Sequence, residues 1–178
     1  IDIDASTLVD LSLPEKADQQ KNNFEMTATV TKFIRSMQPN GVTVTIGGEI
    51  GHIGDVNTDV EDFEAFMAGY LSELNKKDLQ IISKVSVQTG TSHGGTPNPD
   101  GTLKDVSVDF GVLESIGKVA RDKYKMAGPV QHGASTLPHD MFGKFPDVGT
   151  VEIHLATGFL TIVYENMYDS TRNKLYEY

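Results

Sequence analysis

Residues 129–136 read PVQHGAST, a short apolar run that passes directly into a histidine–glycine turn. The same kind of transition recurs along the chain, where residues 42–46 lead into GGEIGHIGD and residues 81–87 lead into QTGTSHGG. A further β-branched run at 151–155 leads into ATG, and residues 1–4 read as another strand end. The sequence therefore predicts five short strands, each ending in a polar segment that in most cases contains glycine.

Helical patterns separate these strands. The spacing of apolar residues favours one helix on Phe63, Phe66, Met67, Tyr70, Leu71 and Leu74, and another on Val112, Leu113, Ile116, Val119 and Ala120. We expect Lys123, Lys125 and Gly128 to mark the end of the second helix, and a further helix between Glu15 and Met37. Strands that alternate with amphipathic helices predict an α/β fold with a parallel sheet. No boundary interrupts this alternation, so we assign residues 1–178 to one domain.

Composition excludes several classes of protein. The chain has 15 Lys plus Arg against 25 Asp plus Glu, a formal net charge of -10, and no basic cluster, so nucleic acid is not an expected partner. The absence of cysteine excludes disulfide scaffolds and thiolate metal sites. No apolar run approaches the roughly 20 residues that span a bilayer, and the first residues do not resemble a signal peptide. We therefore expect a soluble, cytoplasmic, globular protein without membrane contact.

Histidines and one glutamate collect at the ends of the predicted strands. Glu49 and His52 follow the strand predicted at 42–46, and His93 follows the one at 81–87. His132 follows the strand that begins at Pro129, and His154 lies within the one at 151–155. In parallel α/β folds ligands bind at the carboxyl ends of the strands. Imidazole and carboxylate groups are ligands that Zn²⁺ takes when thiolates are absent. Taken alone, each of these residues is by default a loop histidine or a solvated carboxylate, and a solvent-facing position is the simpler interpretation of His52. Taken together, Glu49, His93 and His132 indicate a metal site.

Glycine-rich turns next to these candidate ligands offer backbone N–H groups to an anion. The two turns are residues 94–96 and 133–136, and they suggest a phosphorylated substrate that reaches a metal. Ser135 lacks the G-x-S-x-G surroundings of a nucleophile, so a phosphate contact or a helix cap is its simpler role. His154 alternates with apolar neighbours, so it either projects into a barrel or is a buried structural histidine.

The ordered set GGEIG at 47–51, TGTSHGG at 89–95, VQHGAST at 130–136 and VEIHLATG at 151–158 resembles the class II, metal-dependent ketose-bisphosphate aldolases. This resemblance implies a (β/α)₈ TIM barrel represented by roughly strands 4 to 8. It also implies reversible aldol cleavage of a ketose bisphosphate, such as fructose 1,6-bisphosphate, to dihydroxyacetone phosphate and an aldehyde in carbohydrate metabolism or glycolysis. The implied cofactor is Zn²⁺ or another divalent metal, with a possible monovalent cation, and the implied assembly is a homodimer or homotetramer.

Carried over residue by residue, the resemblance implies a metal bound by Glu49, His93 and His132. It implies a substrate pocket formed by Gly94, Gly133, Ser135, His154 and Thr157. The family's remaining metal histidine and a catalytic aspartate belong to an Asp-His pair that we expect upstream of residue 1. A closed eight-stranded barrel needs about 250 residues, so the 178 residues correspond to part of one.

The chain departs from the family pattern at several positions. Ala134 replaces a glycine, which requires a φ below zero at that residue. His154 and Ala156 stand where the family has Asn and Asp, and Asn57 stands where a flexible loop carries the glutamate associated with proton transfer. Asp55 is our candidate to take over that transfer.

These departures leave three hypotheses for the function of the chain. The first is an active aldolase, and the second is a non-catalytic relative that acts as a scaffold or oligomer subunit. The third is an enzyme for a different phosphorylated ketose.

Overall fold

The computed structural model describes residues 1–51, 56–75, 79–91, 99–100 and 107–178. Five strands are present there: β1 (Asp2–Ile3), β2 (Gly47–Glu49), β3 (Lys84–Val87), β4 (Gly128–Gln131) and β5 (Glu152–Ile153). The helices are α1 (Lys16–Met37), α2 (Val60–Leu74), α3 (Phe110–Tyr124), α4 (Lys144–Asp147), α5 (Thr157–Asn166) and α6 (Asp169–Glu177). Short 3₁₀ turns lie at Ser6–Leu8, Ala134–Thr136 and His139–Met141.

The five strands form one parallel sheet in the order β1-β2-β3-β4-β5, which confirms the predicted α/β class. This sheet is strongly curled. Four strand spacings of about 4.8 Å would separate β1 from β5 in a flat sheet, yet His154 Nε2, just after β5, lies 3.9 Å from Asp2 Oδ2 on β1. The sheet is therefore a half-barrel with a concave inner face, as a partial TIM-like barrel requires.

The strands are shorter than the sequence predicts, and one is displaced. Residues 42–46 were expected to form a strand, but the ladder begins only at Gly47. Before Gly47 the backbone bonds to side chains instead of a neighbouring strand: Val44 N–H donates to Gln38 Oε1 at 2.9 Å, and Val44 O accepts from Arg35 Nη1 at 2.6 Å. The expected strands at 81–87 and 151–155 likewise contract to β3 and β5.

Helix α2 supplies the centre of the core. Phe63, Phe66, Met67, Tyr70 and Leu74 are buried as their spacing predicts, whereas Leu71 is 38% exposed at the rim of the apolar stripe. Asp59 begins the helix with a capping box, because its side chain accepts from Asp62 N–H at 2.7 Å and the Asp62 carboxylate accepts from Asp59 N–H at 3.1 Å. The acidic first turn of this helix is therefore a specific N-cap as well as a favourable dipole contact.

Helix α1 packs against α2 and presents a buried polar face to the end of β2. Gln20, Asn23, Thr27 and Thr31 are buried in this face, with Ala28 among them. Such a face gives no apolar periodicity, which is why the sequence located this helix only approximately, between Glu15 and Met37.

Helix α3 ends at Tyr124, and Lys125 caps it in the left-handed conformation with φ 59°. Gly128 was expected to belong to this helix end, but it is the first residue of β4, with φ 151°. Gly128 lies in β4 because the connection from α3 to β4 is short, and Ala127 N–H already donates to Ser83 O, next to β3, at 2.7 Å.

Helix α5 differs from the inner helices because no residue of it is buried. Its apolar side chains are more than half exposed at Phe159, Leu160, Ile162 and Val163. Among the helices in the described parts of the chain, none is both long enough and apolar enough to cross a membrane.

Candidate active site

Polar side chains line the concave face of the half-barrel. Successive strand residues point to opposite faces, so Lys84 and Ser86 face inward while Val85 packs in the core. The parallel register sets Gly47 beside Lys84, and Glu49 beside Ser86. It continues through β4, where Val130 pairs with Glu152, and therefore brings His132 and His154 to the same level just past the strand ends.

Glu49 and His132 meet at this edge of the sheet. Glu49 Oε1 lies 3.2 Å from His132 Nδ1, and the two side chains are only 9% and 19% exposed. The other ring nitrogen, Nε2, lies 3.0 Å from Ser86 Oγ. Two of the three predicted metal ligands are thus adjacent, and a serine of β3 fixes the orientation of the imidazole ring.

The environment of His132 favours the protonated ring when no metal is bound. Burial opposes the charge, but the hydrogen bond to Glu49 and the negative charges of Glu49, Asp2 and Asp4 outweigh it and raise the pKa of His132. The same carboxylates would attract a metal cation, because their charge acts in a partly desolvated cleft. Cation binding and proton loss from His132 are therefore expected to be linked.

The buried polar row of α1 holds the backbone that presents Glu49. Asn23 Nδ2 donates to Glu49 O at 2.9 Å and to Gln20 Oε1 at 3.0 Å. Gln20 Nε2 in turn donates to Ile50 O at 3.2 Å. Both amides satisfy carbonyls at the point where β2 ends, so α1 sets the direction in which Glu49 leaves the sheet.

The end of β4 is held in a similar way from the end of β3. Thr91 Oγ1 donates to His132 O at 2.8 Å, and the Gln131 amide donates to Thr91 Oγ1 at 3.1 Å. Thr89 Oγ1 donates to Gln131 Oε1 at 2.9 Å. This network ties the segment that precedes His93 to the backbone of His132.

A second group of charged residues lies deeper on the concave face, and we call Asp2, Lys84, Glu152 and His154 the Lys84 cluster. The Lys84 ammonium lies 3.1 Å from Asp2 Oδ1 and pairs with Glu152 Oε2, which also contacts His154 Nε2 at 3.0 Å. Gly47 leaves room for this pairing, because a Cβ there would stand 2.1 Å from Asp2 Oδ1.

The Lys84 cluster contains three potential metal ligands, but its cation is already present. Ligand atoms of Asp2, Glu152 and His154 lie within 4.8 Å of one another. Burial penalises the Lys84 charge, but the hydrogen bonds and charges of Glu152 and Asp2 outweigh that cost and raise the pKa of Lys84. Burial acts against the Glu152 carboxylate too, yet Lys84 and His154 lower its pKa. The ammonium therefore neutralises this group in place of a metal.

A cavity of about 380 Å³ opens beside the two histidines. It is lined by His132, Gly133, Ser135, His154, Leu155, Ala156 and Thr157. Gly133 has φ 68°, whereas Ala134 begins a 3₁₀ turn and is not among the residues with positive φ. The methyl group of Ala134 is therefore tolerated, as the sequence required. The N-terminus of α5 lies at the same cavity, because this helix begins at Thr157.

The structure thus places five of the sequence-predicted site residues at one edge of the sheet, together with Glu49. Those lining the cavity are Gly133, Ser135, Thr157 and the two histidines His132 and His154. The remaining predictions, His93, Gly94 and Asp55, lie outside the described residues, as does His52.

Five residues that support the site were not predicted from the sequence. These are Lys84, Ser86 and Glu152 on the strands and Gln20 and Asn23 on α1. The strand residues were detectable, because each of the short strands β3 and β5 begins with a charged residue that alternates with apolar ones.

The chain matches a known protein family. A family model described as "Fructose-bisphosphate aldolase class-II" matches residues 4–178. The chain belongs to this family. The match extends over nearly all of the chain and includes strands β2 to β5. A search of curated proteins gave no match.

Solved aldolase structures share the fold of this family member. A candidate fructose-1,6-bisphosphate aldolase from Coccidioides immitis is 19% identical with a TM-score of 0.60, covering 97% of this chain and 55% of that one. The YdjI aldolase from Escherichia coli K12 is 13% identical with a TM-score of 0.56, covering 97% and 52%. The fructose-bisphosphate aldolase of Campylobacter jejuni is 15% identical with a TM-score of 0.58, covering 92% and 42%. The chain thus spans about half the length of these proteins.

The donor set at the Glu49–His132 edge fits a zinc ion. Two ligand atoms that are each about 2.1 Å from a tetrahedral Zn²⁺ stand about 3.4 Å apart. The observed separation of Glu49 Oε1 and His132 Nδ1 is 3.2 Å. A carboxylate oxygen and an imidazole nitrogen are also ordinary zinc ligands. The Lys84 cluster fits less well, since the ammonium contacts two of its three possible ligands.

Proposed function

We propose that the chain carries the metal and phosphate sites of a zinc-dependent class II aldolase, which cleaves a ketose bisphosphate such as fructose 1,6-bisphosphate to dihydroxyacetone phosphate and an aldehyde. The observation that supports this most is the 3.2 Å contact between Glu49 and His132 beside a cavity lined by Gly133, Ser135 and Thr157. In this proposal the five strands correspond to strands 4 to 8 of a (β/α)₈ barrel.

The metal would be held by Glu49, His93 and His132. When bound, it supplies Lewis-acid polarisation of the substrate ketone, which lowers the cost of forming negative charge on that oxygen. Ser86 keeps the His132 ring in place through its hydroxyl, and Asn23 fixes the backbone of Glu49. These contacts pre-orient the ligands, so little reorganisation is needed when the metal enters.

The substrate phosphate would bind where the 133–136 turn meets the start of α5. Gly133 and Ser135 contribute a backbone turn and a hydroxyl, and Gly94 is a further predicted phosphate contact. Thr157 lies in the first turn of α5, whose N–H groups lack intrahelical partners and face an anion favourably. Binding energy from the phosphate would orient the three-carbon unit toward the metal.

Proton transfer is assigned to Asp55, since Asn57 cannot act as a base. Asn57 is exposed, and its amide lies 3.5 Å from Asp109 Oδ2, where it serves as a polar contact. Cytoplasmic location, assembly as a homodimer or homotetramer and a role in carbohydrate metabolism accompany this proposal.

Aldol cleavage assays test the proposal directly. Purified protein that contains this chain together with the Asp-His pair expected upstream is incubated with fructose 1,6-bisphosphate or tagatose 1,6-bisphosphate, with zinc supplied, and triose phosphate formation is measured. We expect cleavage that a chelator abolishes and zinc restores, and that His132→Ala removes. Zinc-loaded protein without turnover of either sugar would contradict the proposal.

Ala156 favours one alternative, a non-catalytic relative that serves as a scaffold or oligomer subunit. This residue lines the cavity with a methyl group where the family carries a carboxylate, and Asn57 replaces the loop glutamate. The alternative predicts that the cavity binds no triose phosphate, whereas an enzyme for a different phosphorylated ketose binds dihydroxyacetone phosphate without cleaving either bisphosphate.

A further inference from the structure

The Lys84 cluster joins the deepest part of the concave face to the cavity wall. Glu152 Oε2 receives both the Lys84 ammonium and His154 Nε2, the latter at 3.0 Å. Asp2 holds the other side of the ammonium at 3.1 Å. The Lys84 side chain is only 9% exposed, so this pairing is shielded from solvent at its centre. Glu152 is therefore fixed by one partner and acts on another.

This contact decides which nitrogen of His154 carries the proton. An ionised carboxylate can only accept a hydrogen bond, so the nitrogen that faces Glu152 must donate. Lys84 and His154, against the effect of burial, keep the pKa of Glu152 below its usual value, so the carboxylate is ionised at neutral pH. Nε2 therefore bears the hydrogen, and the neutral ring has its lone pair on Nδ1.

His154 is also oriented by its neighbour in the cavity wall. Its ring centroid lies 4.6 Å from that of His132, with an angle of 31° between the planes. One edge of the ring is occupied by Glu152, and one face is packed on His132. Among the described residues, Nδ1 has no hydrogen-bond partner, although His154 borders the cavity and its side chain is 34% exposed.

We propose that Glu152, held by Lys84, locks His154 with its proton on Nε2, so that Nδ1 accepts a hydrogen bond from a hydroxyl group of the substrate in the cavity. His154 is then a specificity-determining residue, and Glu152 and Lys84 are positioning residues. The substrate part of this statement rests on the proposed function, whereas the state of the His154 ring does not. A ketose phosphate offers hydroxyl donors of the required kind.

The state of the ring is tested by ¹⁵N NMR of the full chain at pH 8. The two nitrogens of a neutral imidazole give well-separated shifts, and His154→Phe assigns the signals. We expect the wild type to carry a proton on Nε2 alone. Glu152→Gln, whose amide can donate as well as accept, should populate the form with a proton on Nδ1, while Glu114→Gln, at an exposed carboxylate on α3, should leave the spectrum unchanged. A proton on Nδ1 in the wild type, or an unaltered His154 in Glu152→Gln, overturns the proposal.

Binding of dihydroxyacetone phosphate tests the acceptor role. Calorimetry on the zinc-loaded protein should give a Kd about five- to tenfold weaker in Glu152→Gln than in wild type or Glu114→Gln, the size of one lost hydrogen bond. Equal affinities in the three proteins refute the acceptor role. If the wild type does not bind this ligand, the proposed function fails and the acceptor role fails with it, while the NMR result still decides the state of the His154 ring.

Discussion

Replacing Ser86 with alanine removes the contact that orients the His132 ring. Ser86 Oγ lies 3.0 Å from His132 Nε2, while Nδ1 faces Glu49 and the expected metal position. Hydrogen-bond partners of metal ligands contribute about 10- to 100-fold in metal affinity. We therefore expect Ser86→Ala to weaken zinc binding by about 1.4–2.7 kcal/mol.

The assay is zinc titration of the metal-free protein against a competing chromophoric chelator at pH 7.5. Ser115→Ala is the matched control, because Ser115 Oγ donates to a helix carbonyl, Val112 O at 3.1 Å, on an exposed face. Thermal unfolding of both variants checks that the fold persists. A Kd for Ser86→Ala within twofold of wild type would refute the assignment of His132 as a ligand oriented by Ser86.

Three further outcomes follow from the same geometry. Gly47→Ala should lower the free energy of unfolding by about 1–3 kcal/mol in urea, since its Cβ would stand 2.1 Å from Asp2 Oδ1, whereas Gly143→Ala, with nothing within 4 Å, should be nearly neutral. The pKa of His132 in the folded protein is raised above the ordinary histidine value of 6.5. The melting temperature of the metal-free protein should therefore fall as the pH rises from 6.5 through the raised pKa of His132, and zinc affinity should increase over the same range. Tyr70→Phe should lower the free energy of unfolding in urea by about 1–3 kcal/mol. The substitution removes the hydroxyl that accepts from the buried Ile82 N–H at 3.1 Å, and this N–H is then left without an acceptor.

Much of the fold could be predicted because the periodicities of α2 and α3 are strong. The apolar residues spaced along Phe63–Leu74 predict directly which face of α2 is buried. The strands were harder to delimit, since Gly47 and Gly48 have no β propensity. Their place in β2 is decided by pairing with β1 and β3, which is information that no local stretch contains.

The candidate site followed from a different kind of regularity. Glu49 and His132 each stand at a strand end, and parallel pairing of β2 and β4 with β3 between them, together with the curl of the sheet, brings the two side chains together. The residues that support this site could not be predicted because their partners are distant in sequence. Asn23 donates to the backbone of Glu49, and Lys84 pairs with Glu152. A buried asparagine in a helix reads as a surface residue until its partner is known.

The arrangement of the metal ligands is the centre of this account. A crystal of the zinc-loaded protein, measured above and below the zinc absorption edge, locates the ion directly. We predict one anomalous peak bonded to Glu49, His132 and His93, and none at Asp2, Glu152 and His154, where Lys84 already supplies the positive charge. A peak in the Lys84 cluster, or the absence of one beside Glu49 and His132, would contradict the account.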